Sequence, residues 1–183
     1  MPMNERDFQN AAAHVRLLLF DCDGVFTDGR IIHGTDGFEA KSFHSHDGMG
    51  VELWHRAGFI CGCLTGRSSE ALAKRARELR FEELHQTVSD KRAVFEEIIV
   101  RRGFRADETA YIGDDVNDLS LLARVGIFFA PVDANAAVIR RAHRVLRRRG
   151  GHGAVREAID LILSGKGLLD KVLMSFFSDG ETA

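Results

Sequence analysis

The sequence predicts an α/β fold in which a parallel β-sheet is covered by helices on both faces. Short apolar runs at 17–20, 59–64, 109–112 and 126–130 each end in turn residues. Between them lie longer stretches with the apolar spacing of helices, several opened by Ser or Asp, such as Ser68 and Asp90. Strand alternating with helix implies right-handed crossovers and a parallel sheet.

Taken in order, residues 1–14 are polar and mixed in charge, a leading arm or short helix. Residues 17–20 are apolar at every position, as suits a strand buried on both faces. Residues 30–33 and 38–44 read as two short strands around Gly34-Thr35-Asp36-Gly37, a hairpin turn of Gly and Asp. Helices are expected at about 48–57, 68–79, 90–102, 116–123, 134–141 and 153–163. Shorter strand candidates stand at 84–86 and 143–146. Residues 168–177 include Leu168, Leu169, Val172, Leu173, Met174, Phe176 and Phe177, too apolar for a free tail. They are expected to pack on the core or on a neighbouring subunit.

At 183 residues the chain is expected to form one domain, 1–183, with a β-hairpin insert at about 28–47 and a C-terminal tail at about 166–183. Its 45% hydrophobic and 28% charged content is that of an ordinary soluble protein. A formal net charge of −2 gives no bulk electrostatic case for nucleic acid or an acidic membrane surface. The basic residues Arg140, Arg141, Arg144, Arg147, Arg148 and Arg149 read as a solvated face or a subunit contact. Cys22, Cys61 and Cys63 have no usual metal spacing and make no disulfide framework, so a reducing cytoplasm fits best. There is neither the apolar core of a signal peptide nor a run of membrane-spanning length.

Candidate chemistry gathers at strand ends, where open α/β sheets bind their ligands. Asp21 and Asp23 follow the first strand, and on an extended segment they face the same side. Carboxylates held that close suit a divalent cation with hard oxygen ligands, and can also divide labour as nucleophile and general acid and base. The same Asp and Gly residues also make an ordinary turn. The second long strand is followed by Thr65-Gly66-Arg67 and Ser68-Ser69, a hydroxyl and free N–H groups at a helix start that suit phosphate oxygens, or simply a good turn. The third is followed by Gly113-Asp114-Asp115-Val116-Asn117-Asp118, a second carboxylate arm for the same cation or acids favoured by the helix dipole. Lys91 opens another helix, and a site rich in carboxylates needs such a compact positive charge.

In the order acid pair, Thr, Lys, acid cluster, the chain resembles the haloacid dehalogenase superfamily of phosphoryl-transfer enzymes. Asp21-Cys22-Asp23-Gly24-Val25-Phe26-Thr27 matches its nucleophile motif, and Gly113 to Asp118 its metal motif. The resemblance implies a three-layer, Rossmann-like sheet, Asp21 as the nucleophile that forms an aspartyl-phosphate, and Asp23 as general acid and base. It also implies Mg²⁺ held by the Asp21 side chain, the Asp23 backbone carbonyl and Asp114, with Thr65 and Lys91 on the phosphoryl oxygens.

A closer likeness, over nearly the whole chain, is to the 3-deoxy-D-manno-octulosonate 8-phosphate phosphatases. It rests on Thr27-Asp28-Gly29, Lys41-Ser42-Phe43, Asp47-Gly48-Met49-Gly50, Thr65-Gly66-Arg67 and the stretch from Arg149 to Glu157. It implies a small-molecule sugar acid phosphate as substrate, no separate cap domain, and a homotetramer whose neighbouring subunits cover the active site. Chain arithmetic agrees about the cap. Only the 20 residues 28–47 separate the first motif from the next helix, and the 25 between Thr65 and Lys91 are used by a helix and a short strand.

By this resemblance the substrate would meet Asp23, His44, His46, Asp47, Gly48, Arg67, Arg75 and Lys91. Two positions depart from the pattern, His46 and Glu52, where that group carries arginines. Losing an arginine fork weakens recognition of a substrate carboxylate, so phosphatases of nine-carbon sugar acids remain an alternative, as does a noncatalytic assembly module. His44-Ser45-His46-Asp47 lacks a third histidine nearby in sequence and reads as pocket lining or simple exposure. Gly150-Gly151-His152-Gly153 permits a close backbone approach near the active-site mouth, or a flexible bend before the last helix.

Overall fold

The four apolar residues 17–20 form the strand around which the molecule is built, each of them buried. A computed structural model describes residues 2–178. In chain order the strands are β1 (Leu17–Phe20), β2 (Ile32–His33), β3 (Glu39–Ala40), β4 (Ile60–Leu64), β5 (Glu83–His85), β6 (Thr109–Ile112), β7 (Ile127–Ala130) and β8 (Arg144–Val145). The helices are α1 (Glu5–His14), α2 (Ser45–Arg56), α3 (Glu70–Glu78), α4 (Lys91–Arg102), α5 (Ala136–Ile139), α6 (Ala154–Gly165) and α7 (Leu169–Ser178). Six strands make one sheet in the order β5-β4-β1-β6-β7-β8, parallel at every pairing.

Side chains alternate across β1 and so divide the core in two. Leu18 and Phe20 join Phe8, Trp54, Ile112, Phe129 and Ile159 beneath α1, α2 and α6. Leu17 and Leu19 join Phe95, Tyr111, Leu121 and Phe128 beneath α4. From β1 the sheet grows through β4 and β5 in one direction and through β6, β7 and β8 in the other. The carboxyl end of β1 is therefore the topological switch point, where such sheets bind their ligands.

Between β1 and α2 lie one wide turn, Cys22–Phe26, and the antiparallel hairpin of β2 and β3, and no cap domain occurs among the described residues. Its strands are two residues each, shorter than the expected 30–33 and 38–44. Helix α2 starts earlier than expected because the His44 ring nitrogen Nδ1 accepts the His46 N–H and caps it. The expected helix at 116–123 is instead a 3₁₀ turn over Val116–Leu121. There Asp115 and Asp118 cap one another, tightening the chain into i→i+3 bonds.

Helix α7 packs on α6 and α2, with Val172 buried and Phe176 under the Arg56 guanidinium at 3.8 Å. The apolar tail is thus placed on the core up to Ser178, and its last residues, 179–183, lie outside the described residues. No helix among the described residues is long and apolar enough to cross a membrane.

Candidate active site

Asp21 leaves the end of β1 still tied to the sheet, its N–H donating to the Ile112 carbonyl at 3.0 Å. The chain then makes one wide turn over Cys22–Phe26, closed by the Thr27 N–H on the Cys22 carbonyl at 2.9 Å. Gly24 holds φ +89° in this turn, where a side chain would be strained. A Cβ there would also stand 2.1 Å from Asp114 Oδ2, so the absent side chain lets the loop after β6 approach Asp21. Behind it, a Cβ on Gly150 would fall 1.8 Å from the Gly24 carbonyl, and the Gly151 N–H donates to the Val25 carbonyl at 2.9 Å. The glycine stretch singled out in the sequence is a close backbone backing for the Asp21 loop.

Carboxylate oxygens of Asp21, Asp114 and Asp118 all lie within 4.8 Å of one another. Lys91, the first residue of α4, is buried among them with Nζ 2.9 Å from Asp21 Oδ2 and 2.6 Å from Asp118 Oδ1. Asp118 is completely enclosed and spends both oxygens on local structure. Oδ1 accepts from Lys91 and from the Tyr111 hydroxyl at 2.8 Å, and Oδ2 from the N–H groups of Asp114 and Asp115 at 3.0 and 3.2 Å. It therefore positions both the lysine and the Asp114 loop. Sequence reasoning quoted Asp118 within its motif without giving it a role. The available signal was its place four residues after Asp114 in the same acidic run.

The electrostatics of this cluster call for more positive charge than Lys91 brings. Burial, with the Asp118 charge adding to it against Lys91, pushes the Asp21 carboxyl up to about 6. Burial and the charges of Asp21 and Asp118 push Asp114 up to about 8. Lys91 itself is held above its ordinary value, because the carboxylates of Asp21 and Asp118 outweigh its burial. Asp114 Oδ1 is buried without any hydrogen-bond partner. An orphaned carboxylate oxygen beside Asp21, in a set of hard oxygen donors, fits Mg²⁺.

Asp23 is held differently. Lys41, whose side chain is almost wholly buried, bonds Asp23 Oδ1, and the Thr27 hydroxyl donates to the same oxygen at 3.3 Å. Asp23 Oδ2 is buried and has no hydrogen bond, with Arg67 Nε 3.7 Å away. Arg67 is anchored to the hairpin by Glu39 at 2.9 Å, and Lys41 approaches the same carboxylate. Lys41 was also missed as a site residue, although a lysine between the hairpin and α2 in a matched stretch was visible. Thr65 is buried one residue past β4, beside β1 in the sheet, with its N–H on the His85 carbonyl at 2.9 Å.

Other expected residues are placed differently. Asp47 is fully buried and caps α6, accepting from the Gly153 N–H at 3.1 Å and the Arg156 N–H at 2.8 Å, so it does not face a pocket as expected. Gly48 leaves room for Arg75, whose Nη2 would be 2.3 Å from a Cβ at that position. Arg75 Nε is buried without a partner, while its Nη1 reaches Glu78 at 3.1 Å. Glu52 pairs with Arg56 at 3.2 Å and with Arg80 at 2.5 Å, so its negative charge is answered locally.

His44 and His46 stack edge to face at 4.9 Å between ring centres, and folding brings His152 to 6.4 Å from His44. The third histidine missing from the local sequence is therefore supplied by the loop before α6. These rings line an open groove of about 860 Å³ with Arg147, Arg148 and Arg156. None of Asp21, Asp23, Thr65, Lys91 or Asp114 is on its wall.

A family profile described as haloacid dehalogenase-like hydrolase matches residues 65–159. The 3-deoxy-D-manno-octulosonate 8-phosphate phosphatase of Yersinia pestis is 38% identical over 164 residues, 90% of this chain and 88% of that protein. The chain belongs to the 3-deoxy-D-manno-octulosonate 8-phosphate phosphatase family. Two solved structures of that family agree in fold. The Yersinia pestis enzyme superimposes with a TM-score of 0.88 over 90% of this chain and 89% of its own, at 38% identity. The Moraxella catarrhalis enzyme, solved in complex with a magnesium ion, a phosphate ion and a KDO molecule, gives 0.91 at 31% identity over 94% and 99%.

Proposed function

We propose that this chain is a Mg²⁺-dependent phosphatase that releases phosphate from 3-deoxy-D-manno-octulosonate 8-phosphate through an aspartyl-phosphate on Asp21. The observation that carries the reading is the Asp21 carboxylate, buried 2.9 Å from Lys91 and beside the unpartnered Oδ1 of Asp114. Asp21 attacks phosphorus as the bond from phosphorus to the sugar oxygen breaks. Asp23 gives its proton to the departing oxygen, and its unbonded Oδ2 suits that task. Asp23 then takes a proton from the water that attacks phosphorus, and Asp21 is freed as inorganic phosphate leaves. Lys91 and the Thr65 hydroxyl bind the phosphoryl oxygens. A bound Mg²⁺, held by Asp21, Asp114 and the Asp23 carbonyl, would supply the charge that offsets the phosphoryl oxygens.

For the sugar acid itself, Arg67, Arg75, His44 and His46 form the substrate set. Gly48 serves that set by leaving space for the Arg75 guanidinium, and Asp47 by fixing the start of α6 against α2. With no cap over the site, closure is assigned to neighbouring subunits of a homotetramer. Exposed apolar residues support it: Ile31, Ile32 and Phe38 on the hairpin and Leu173 and Phe177 on α7. Three free buried cysteines suit a cytoplasmic location.

The test is phosphate release from 3-deoxy-D-manno-octulosonate 8-phosphate and from nine-carbon keto-deoxy sugar acid 9-phosphates. Mg²⁺-dependent turnover of the first, lost in Asp21→Asn, is expected. Absence of turnover across the panel overturns the substrate assignment, and scattering mass measurement of the subunit number checks the tetramer.

A further inference from the structure

His55, Cys61 and Glu82 bring three different ligand types to one point near the amino ends of the strands, opposite the carboxyl ends where Asp21 stands. His55 comes from the last turn of α2, Cys61 from the start of β4, and Glu82 from the residue before β5. His55 Nε2 lies 3.2 Å from Glu82 Oε2 and 3.7 Å from Cys61 Sγ, and all three ligand atoms are within 4.8 Å of one another. Tetrahedral zinc with ordinary bond lengths places N and O ligands about 3.4 Å apart and S and N ligands about 3.6 Å apart. The observed separations differ from these by only a few tenths of an ångström, so little side-chain movement is needed.

The backbone already locks the arrangement. The Cys61 N–H donates to Glu82 Oε2 at 3.0 Å, and the Glu82 N–H returns to the Cys61 carbonyl at 3.1 Å. Cys61 is fully buried, whereas the side chains of His55 and Glu82 retain 13% and 28% exposure. They open onto a hollow of about 310 Å³ that also meets Gly58, Phe59, Ile60 and Arg80, from which a metal and a water ligand can enter.

We propose that His55, Cys61 and Glu82 form a second metal site, for a divalent transition metal of the zinc class, with water as the fourth ligand. Thiolate and imidazole donors select such ions over Mg²⁺, which the all-oxygen cluster at Asp21 prefers. On binding, the Cys61 thiol gives its proton to solvent and its sulfur coordinates as thiolate. The site joins the end of α2 to β4 and β5, so occupancy raises the unfolding temperature.

The experiment titrates the purified full-length chain with Co²⁺ in excess Mg²⁺ and follows the thiolate-to-cobalt charge-transfer absorption. One equivalent is expected to saturate the band in the parent protein and in Asp114→Asn, and Zn²⁺ to bleach it. Cys61→Ala, Cys61→Ser and His55→Gln are expected to lose the band, with circular dichroism confirming that each is folded. Loss of a direct ligand should lower affinity by more than the about 10–100-fold that removal of an outer-sphere partner costs. A parent protein without the band, or a band that survives Cys61→Ala, overturns the site and leaves His55 and Glu82 as a hydrogen-bonded pair beside a buried thiol.

Discussion

Replacing Asp118 by Asn removes one charge from the residue that joins Lys91 to the Asp114 loop, and leaves its shape unchanged. In the parent protein the two oxygens receive four donors: Lys91 Nζ, the Tyr111 hydroxyl and the N–H groups of Asp114 and Asp115. An amide has one acceptor oxygen, so in either orientation two of those donors face an NH₂ group. Hydrogen bonds to a charged partner contribute about 1.5–3 kcal/mol each, so the loss is about 3–6 kcal/mol. Typical domains have about 5–15 kcal/mol in all, so Asp118→Asn should remain folded with a clearly lower urea midpoint.

The orientation of the amide decides how activity fails. If its oxygen keeps the backbone N–H groups, Lys91 retains Asp21 and the Tyr111 hydroxyl but loses its Asp118 contact, and kcat falls; a misplacement near 1 Å can cost about 10²-fold. If its oxygen keeps Lys91, the Asp114 loop loosens and the Mg²⁺ concentration needed for half-maximal activity rises. In both cases the Asp118 charge no longer raises Asp21 and Asp114, so the acid limb of the rate profile moves to lower pH. Urea unfolding, a Mg²⁺ titration of phosphate release and a pH profile read all three effects. A stability change below about 1 kcal/mol together with unchanged kcat and Mg²⁺ dependence would refute the positioning role.

Asp21 and Asp114 take up protons on folding because burial raises their carboxyls above the ordinary aspartate value, to about 6 and about 8. Metal-free stability should therefore fall as pH rises from about 4 to about 8, and the Mg²⁺-induced rise in unfolding temperature should be larger at pH 8 than at pH 5; a pH-independent rise contradicts this. Gly24→Ala forces a side chain into φ +89° and against Asp114, so about 1–3 kcal/mol of stability and most Mg²⁺-dependent activity should be lost, as measured by urea unfolding and metal titration. Asp23→Asn keeps the backbone carbonyl and should lower kcat by about 10²–10⁴-fold with Mg²⁺ affinity largely intact, and an unchanged rate would remove Asp23 from proton transfer. Glu52→Gln breaks only ion pairs with Arg56 and Arg80, so stability should change by no more than about 1 kcal/mol, with kcat/KM nearly constant in the phosphatase assay.

The acid pair, Thr65, Lys91 and the run from Gly113 were legible because each stands at the end of an apolar strand or at a helix start, local signals that survive in one dimension. The functions of Lys41 and Asp118 were not, because they are defined by partners distant in sequence: Asp23 lies 18 residues from Lys41, and Lys91 lies 27 from Asp118. The capping role of Asp47 is hidden for the same reason, since its helix starts more than a hundred residues further along. Apolar spacing predicts an α-helix from residue 116, but the mutual capping of Asp115 and Asp118 tightens Val116–Leu121 into a 3₁₀ turn. Glu52 looked like an intrusion of negative charge, and only folding showed Arg56 and Arg80 beside it.

The charges at the switch point explain why reaction and substrate are set by different parts of this fold. Three carboxylates, Asp21, Asp114 and Asp118, with one lysine, Lys91, leave a formal charge of −2 when all are ionised, which one divalent cation balances. That balance is built from residues at the strand ends and the start of α4, where the sheet permits little variation in position. Arg75 stands on a neighbouring helix, and its guanidinium has room only because residue 48 has no side chain. A substitution at Gly48 can thus displace the Arg75 guanidinium while Asp21, Lys91 and Asp114 keep their places, so substrate preference can change without loss of phosphoryl chemistry.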